Sequence, residues 1–258
     1  MCGRYTQLMT WRELVELYRI TEPQEPTPNL RPRYNAAPTG RKNPDPLPMV
    51  RGTETGGRSG GGRAGGRALR LAWWGLLPAS SRDFPKWSLI NARAETLAVK
   101  WPWKALVGRR HCLVPSDGYY EWRAEAGGKQ PYLFTRKARA PFAFAGLWDR
   151  WRNPAGGQVI ESFTIIVTTP NPLSALVHEK AMPVMLEPEQ FEAWLAAGED
   201  ALALLQPYPA ERMIARPVSR EVNTAWSRKT GQAVDHPGLI EPAGPALEMA
   251  EAPESGKK

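Results

Sequence analysis

With 258 residues, 42% of them hydrophobic and 23% charged, the chain has the size and composition of a soluble globular protein, enough for one large domain or two small ones. The balance of 34 Lys+Arg against 26 Asp+Glu gives a net charge of +8, which would attract a polyanionic partner. Two cysteines exclude a disulfide framework, and no run approaches the roughly 20 apolar residues of a membrane span, so the expected location is cytoplasmic.

Cys2 is the first residue to carry a chemical signal. With a small residue at position 2 the initiator Met is normally removed, leaving a thiol and an α-amine on one residue. Their reference pKa values are roughly 8.5 and 7.7–8.0, so both have a nucleophilic fraction near neutrality. An aldehyde attacked by the amine gives an imine, and the adjacent thiolate then closes a five-membered thiazolidine at high effective concentration. Position alone leaves it equally open that Cys2 is incidental and that Met1 stays.

Thr10 with Glu13 forms a capping box, and Leu14, Leu17 and Tyr18 share one face, which predicts an amphipathic helix over 11–19. Prolines at 23, 26, 28, 32 and 38 then hold the chain extended through Tyr34–Pro38. Residues 51–67 are Gly/Arg-rich and read as a flexible insertion between two strands, its arginines either near a DNA backbone or simply solvated. Short apolar runs predict strands at Leu69–Trp74, His111–Val114, Tyr119–Trp122, Tyr132–Thr135, Phe142–Trp148, Ser162–Thr168 and Met213–Val218. Hairpin connections are expected at 125–128 and 153–157, with further helices over Pro172–His178 and Pro188–Ala197. The fold class is therefore α+β: a single, mainly antiparallel domain over 2–228, with partly closed barrel-like sheets and a few flanking helices. Residues 229–258, rich in Pro, Gly, Glu and Lys, read as a disordered tail.

Other residues have competing readings. Glu121, among the aromatics of Asp117–Trp122, would serve as general acid or base if buried, and would be an ordinary solvent-facing glutamate otherwise. Asn91 and Arg93, in Ile90–Thr96, suit a sugar hydroxyl and a phosphate. His178 ends a short helix and by itself reads as a helix-end histidine. Cys112 and His111 read as core and structural residues, and His236 shows no evident role. Three histidines and two cysteines lack ligand spacing, so neither a metal nor another cofactor is expected.

Met1–Tyr5, Arg33–Thr39, Trp74–Pro78, Ile90–Thr96, Cys112–Trp122, His178 with Met182–Leu186, and Pro217–Asn223 occur in an order that resembles the SRAP family, the SOS response-associated peptidases. The likeness runs from residue 2 to about 226, apart from the Gly/Arg-rich insertion. It implies a sensor that crosslinks abasic sites in single-stranded DNA through a thiazolidine on Cys2, shielding the lesion during the DNA-damage response. It also implies that Asn91 positions the nucleophile and sugar, that Glu121 moves protons at the α-amine, and that His178 assists ring opening and reversal. Arg4 and Arg93 would grip phosphates, Asn35 and Pro38 would belong to a DNA-facing wall, and Trp74 would stack or wedge beside the lesion. The resemblance further implies a monomer that meets the replication machinery, associates with the nucleoid when bound to DNA, and carries lyase or Met1-removing peptidase activity. An N-terminal-nucleophile amidohydrolase and a noncovalent single-strand binder are the alternatives. Two departures stand out: the segment from His178 to Met182 is one residue longer than in many members, and Ala79–Ser81 lacks a tryptophan often found there.

Overall fold

The computed structural model describes residues 2–22, 30–39, 45–53, 66–83, 89–154, 156–227 and 229–249. The chain opens with a short strand, β1 (Tyr5–Gln7), followed by helix α1 (Trp11–Tyr18). The expected capping box starts α1: the Glu13 N–H donates to Thr10 Oγ1 at 3.3 Å, and the Thr10 N–H donates to Glu13 Oε2 at 2.7 Å. Leu14 and Tyr18 are its buried face. Strands β2 (Arg33–Ala36), β3 (Leu47–Gly52), β4 (Arg67–Trp74), β5 (Asn91–Arg93), β6 (His111–Ser116), β7 (Gly118–Glu125), β8 (Gly128–Arg136), β9 (Phe142–Arg152) and β10 (Val159–Thr168) follow. Helix α2 (Pro172–Ala175), strands β11 (Met182–Pro183) and β12 (Met185–Leu186), helix α3 (Phe191–Leu195), and strands β13 (Met213–Pro217), β14 (Trp226–Ser227) and β15 (Gln232–Ala233) complete the order.

Two sheets carry the architecture. One is antiparallel throughout, in the order β13-β8-β7-β1-β2. The other runs β10-β4-β3-β6-β9 and closes on itself, because β9 and β10 also pair along a hairpin from Arg152–Val159 to Gly146–Ile165. The expected barrel is thus closed rather than partly closed, and a closed barrel leaves no free edge around its circumference. It is not wholly antiparallel: β10 runs parallel to both β4 and β5.

The main core lies between barrel and sheet. It includes Cys2, Tyr5, Trp74, Tyr119, Phe134, Phe144 and Phe163. A second cluster fills the space beneath α1 and α3, where Tyr18 and Phe191 stack with ring centroids 4.9 Å apart. Cys112 is fully buried, as a core residue should be. His111 is structural: its Nε2 accepts from the Gly108 N–H at 3.1 Å, so its Nδ1 carries the proton toward the Trp194 carbonyl at 2.8 Å.

Four boundaries differ from the sequence expectation. Arg51 and Arg67, assigned to the insertion, are buried members of the β3–β4 ladder, each neutralised by a carboxylate, Glu161 and Glu192 respectively. Residues 54–65 of that insertion lie outside the described residues. The segment Pro188–Ala197 divides into a 3-10 turn (Pro188–Gln190) and α3, and α2 is a single turn. The expected tail is built into the fold as far as residue 249. Leu239 is fully buried against Tyr120 and Val222, and the Leu247 N–H donates to the Ala215 carbonyl at 2.8 Å. Pro237 and Gly238 open a 3-10 turn at Pro237–Ile240, and Leu239 within it supplies the anchor. Residues 250–258 lie outside the described residues.

Candidate active site

The amino-terminal segment is drawn into the core by the strand that follows it. Tyr5 and Thr6 pair with Tyr119 and Gly118 of β7, and the Tyr120 N–H extends the ladder to the Arg4 carbonyl at 3.0 Å. The carboxylate of Asp117 pins the other end of β1, accepting from the Thr6 hydroxyl and from the Leu8 N–H at 2.6 Å. Antiparallel continuation carries Cys2 toward Glu121 on the same strand pair.

Cys2 is fully buried, and Glu121 is 3% exposed. Burial, followed by the negative charge of Glu121, pushes the Cys2 thiol far above its ordinary value, while the positive amino terminus pulls it back. Burial also raises the Glu121 carboxyl, pushed up to about 7, again against the pull of the amino terminus. The buried reading of Glu121 is therefore the one that holds, and its carboxyl is poised to gain or lose a proton near neutrality.

His178 reaches the same centre from α2. Asn171 caps this turn by accepting from the Ser174 N–H at 2.7 Å, and the His178 N–H donates to the Ser174 carbonyl at 2.8 Å. Ser174 also shares a hydroxyl–hydroxyl hydrogen bond of 3.0 Å with Tyr119, which ties the turn to β7. The His178 ring is half-buried, and its Nδ1 lies 3.1 Å from the Ala181 carbonyl. A carbonyl only accepts, so the neutral ring carries its proton on Nδ1 and has Nε2 as its acceptor. Burial first, then the positive amino terminus, lowers the His178 pKa and favours this neutral form. The contact of Nδ1 with the Ala181 carbonyl closes the turn that leads from His178 into β11.

Asn91 opens β5, opposite Ile165 of β10, directly after Ile90, whose carbonyl accepts from the Trp74 indole N–H at 3.0 Å. Both atoms of the Asn91 amide are buried without a partner among the described residues. Such an amide costs free energy unless something occupies it. The Tyr5 hydroxyl is buried and unpartnered in the same way, and sequence reasoning passed it over because tyrosine in an apolar run reads as core. The Tyr119–Ser174 pair was missed for the same reason.

The residues expected to contact DNA divide. Arg93 is exposed at the end of β5. Pro38 is half-buried after β2. Arg4 is half-buried, and its Nη1 donates to Asn35 Oδ1 at 2.9 Å and to the Val222 carbonyl at 2.7 Å. Asn35 is 3% exposed and spends its amide N–H groups on the Thr224 and Val234 carbonyls, so it is an internal brace rather than part of a wall. Trp74 does not suit stacking or wedging in this conformation. It is fully buried, with its edge against Tyr5 at 5.2 Å between centroids.

A family model described as SOS response associated peptidase (SRAP) matches residues 1–225. The chain is 35% identical over 230 residues to a Bacillus subtilis (strain 168) protein named abasic site processing protein YoqW, with 87% of this chain and 95% of that protein covered. It is 31% identical over 179 residues to abasic site processing protein HMCES of Gallus gallus, covering 58% of this chain and 52% of that one. A solved structure from Bacteroides thetaiotaomicron matches with a TM-score of 0.75 at 23% identity, over 94% of this chain and 100% of the other, a likeness of fold.

Proposed function

The chain belongs to the SRAP family, and on that premise we propose that it processes abasic sites in single-stranded DNA by forming a covalent thiazolidine through Cys2. The observation that carries the reading is the buried Glu121 carboxyl, pushed up to about 7 beside a buried amino-terminal cysteine. Removal of Met1 transfers the free α-amine to Cys2.

The chemistry then balances without an outside reagent. The closed abasic sugar is a hemiacetal. His178 Nε2 takes the proton of the C1′ hydroxyl and returns it to the ring oxygen as the bond from C1′ to that oxygen breaks, giving a C1′ aldehyde and a 4′-hydroxyl. The Cys2 amine adds to C1′ to form a carbinolamine. Protonated Glu121 donates to the carbinolamine hydroxyl, water leaves, and a protonated imine remains. The Cys2 sulfur attacks C1′, its proton passes to the Glu121 carboxylate, and the C=N electron pair returns to the nitrogen, which already bears its hydrogen, as the ring closes. One water is lost overall. The Asn91 amide, buried and unsatisfied, suits the sugar oxygens, and exposed Arg93 suits a flanking phosphate. A site without a base has no stacked base to extrude, which favours the lesion over intact nucleotides.

The test is an adduct gel. Wild-type protein should give an SDS-resistant adduct with an oligonucleotide carrying one abasic site, and Cys2→Ala should give none. Equal adduct yields from both would overturn the proposal. Turnover of a peptide amide without any adduct would replace it with an amidohydrolase.

A further inference from the structure

Residues 94–110 connect the two ends of the barrel. At one end, Arg93 lies opposite Val167 near the carboxyl end of β10. At the other, the Arg110 carbonyl accepts from the Trp148 N–H at 2.9 Å, and Trp148 pairs with Phe163. Four residues of β10 separate those levels, about 13 Å at the rise of a strand. The connecting segment is a series of hydrogen-bonded turns, such as Lys100 N–H to the Thr96 carbonyl and Lys104 N–H to the Lys100 carbonyl, each at 2.9 Å. Leu97, Trp103 and Leu106 are buried and fasten it to the core.

Its outer side combines two features. Trp101 is 60% exposed and Val99 is 70% exposed on this anchored segment. The same segment carries Arg93, Lys100, Lys104, Arg109 and Arg110, with Glu95 the only carboxylate between residues 93 and 110. A single exposed apolar residue needs no explanation. An exposed indole flanked in sequence by two lysines, on a basic segment, has the makings of a stacking platform for a polyanionic strand. Buried Trp74 cannot supply that platform.

We infer that residues 93–110 are a track for single-stranded nucleic acid, with a base stacked on Trp101 and the backbone phosphates held by Lys100, Lys104 and Arg109. The track carries the strand that flanks the lesion. In that respect it rests on the function proposed above, but its binding mode needs no covalent step. Trp101 and the two lysines touch none of the groups around Cys2 that are assigned to the chemistry.

The experiment uses the full chain, two single-stranded probes and a blunt duplex as control. The first is an undamaged, fluorescein-labelled single strand of about 20 nucleotides, read by anisotropy across a salt series. Trp101→Ala should weaken its binding about tenfold, and Trp101→Phe should restore most of the loss. The double variant Lys100→Gln/Lys104→Gln should lower the log–log salt slope by about 1.4. The second probe is an abasic oligonucleotide too short to reach the segment, about three nucleotides long, with which both variants should give wild-type adduct yields. Unchanged affinity and slope on the long strand would overturn the track. An equal loss from Trp101→Ala on a blunt duplex would overturn the stacking. Failure of the wild-type protein to form an adduct would remove the proposed chemistry while leaving the anisotropy result to decide the track.

Discussion

The Arg4 guanidinium donates to Asn35 Oδ1 at 2.9 Å, and the amide nitrogen of that asparagine donates in turn to the carbonyls of Thr224 (3.2 Å) and Val234 (3.0 Å). The residue two places after the cysteine is thereby fastened to β2 and to the carboxyl-terminal third of the chain. Arg4 is also desolvated enough that its pKa falls below the ordinary arginine value. A guanidinium so engaged works mainly as a brace that fixes the path of residues 2–4.

Asn35→Ala would leave two carbonyls without their donor and the guanidinium short of one acceptor. The expected cost is about 2–3 kcal/mol, read as a lower urea midpoint. Adduct formation should slow as well, because the cysteine loses its fixed approach to Glu121. A midpoint equal to that of the wild type would show that Arg4 and Asn35 are not braces.

Glu121→Gln should move stability and activity in opposite directions. The folded state holds the Glu121 proton up to about 7, whereas an unfolded glutamate releases it near 4.3. Between those values the folded state binds more protons, so this group makes stability fall as pH rises, and the penalty is complete above about 7. A neutral amide removes that penalty. The variant should therefore gain about 1–3 kcal/mol over the wild type at pH 8 and gain least near pH 4. Its adduct rate should drop at least tenfold and lose the inflection near neutrality that the carboxyl gives the wild type. Loss of stability at pH 8 together with a normal rate would contradict both the burial argument and the proton-transfer role.

How far these features could be read from sequence depends on where each obtains its hydrogen bonds. Helix α1 carries its own signal, since Thr10, Glu13, Leu14 and Tyr18 lie within one short stretch. Strands β7 to β10 were legible because each is long enough to show its apolar run and its turn. Strands β1 and β5 were not. With three residues each, they exist only because β7 and β10 supply distant partners. The parallel pairing of β10 with β4 depends on closure of the barrel, which no local pattern encodes. The same limit governs the site. Cys2 was legible from its position, but Glu121 had a solvated reading until β1 placed the amino terminus over it. Trp74 was legible as an aromatic but not as a fully buried one, because Trp73 beside it offers an equal ring on the opposite face.

The carboxyl-terminal segment gives the last prediction. Asp235 lies beyond the family-matched residues, yet its carboxylate accepts from Arg33 Nε at 2.7 Å and from the N–H groups of Tyr34 (2.6 Å) and Asn35 (3.0 Å). Both side chains of the Arg33–Asp235 pair are buried, and the two amides belong to β2, the edge strand of the five-stranded sheet. Asp235 thus covers an edge whose donors would otherwise face water, and it lies next in sequence to Val234, whose carbonyl receives Asn35. Asp235→Ala would strand the Arg33 charge, which among the described residues keeps a longer contact of 3.6 Å to Asp45, and two backbone donors with it. A loss of about 2–4 kcal/mol is expected from urea unfolding. Hydrogen exchange should rise at Tyr34 and Asn35 while β9 and β10 stay protected, because the barrel ladder makes no use of Asp235. Uniform loss of protection across both sheets would mean instead that barrel and sheet unfold as one unit, and the segment would then be a general stabiliser rather than a strap on β2.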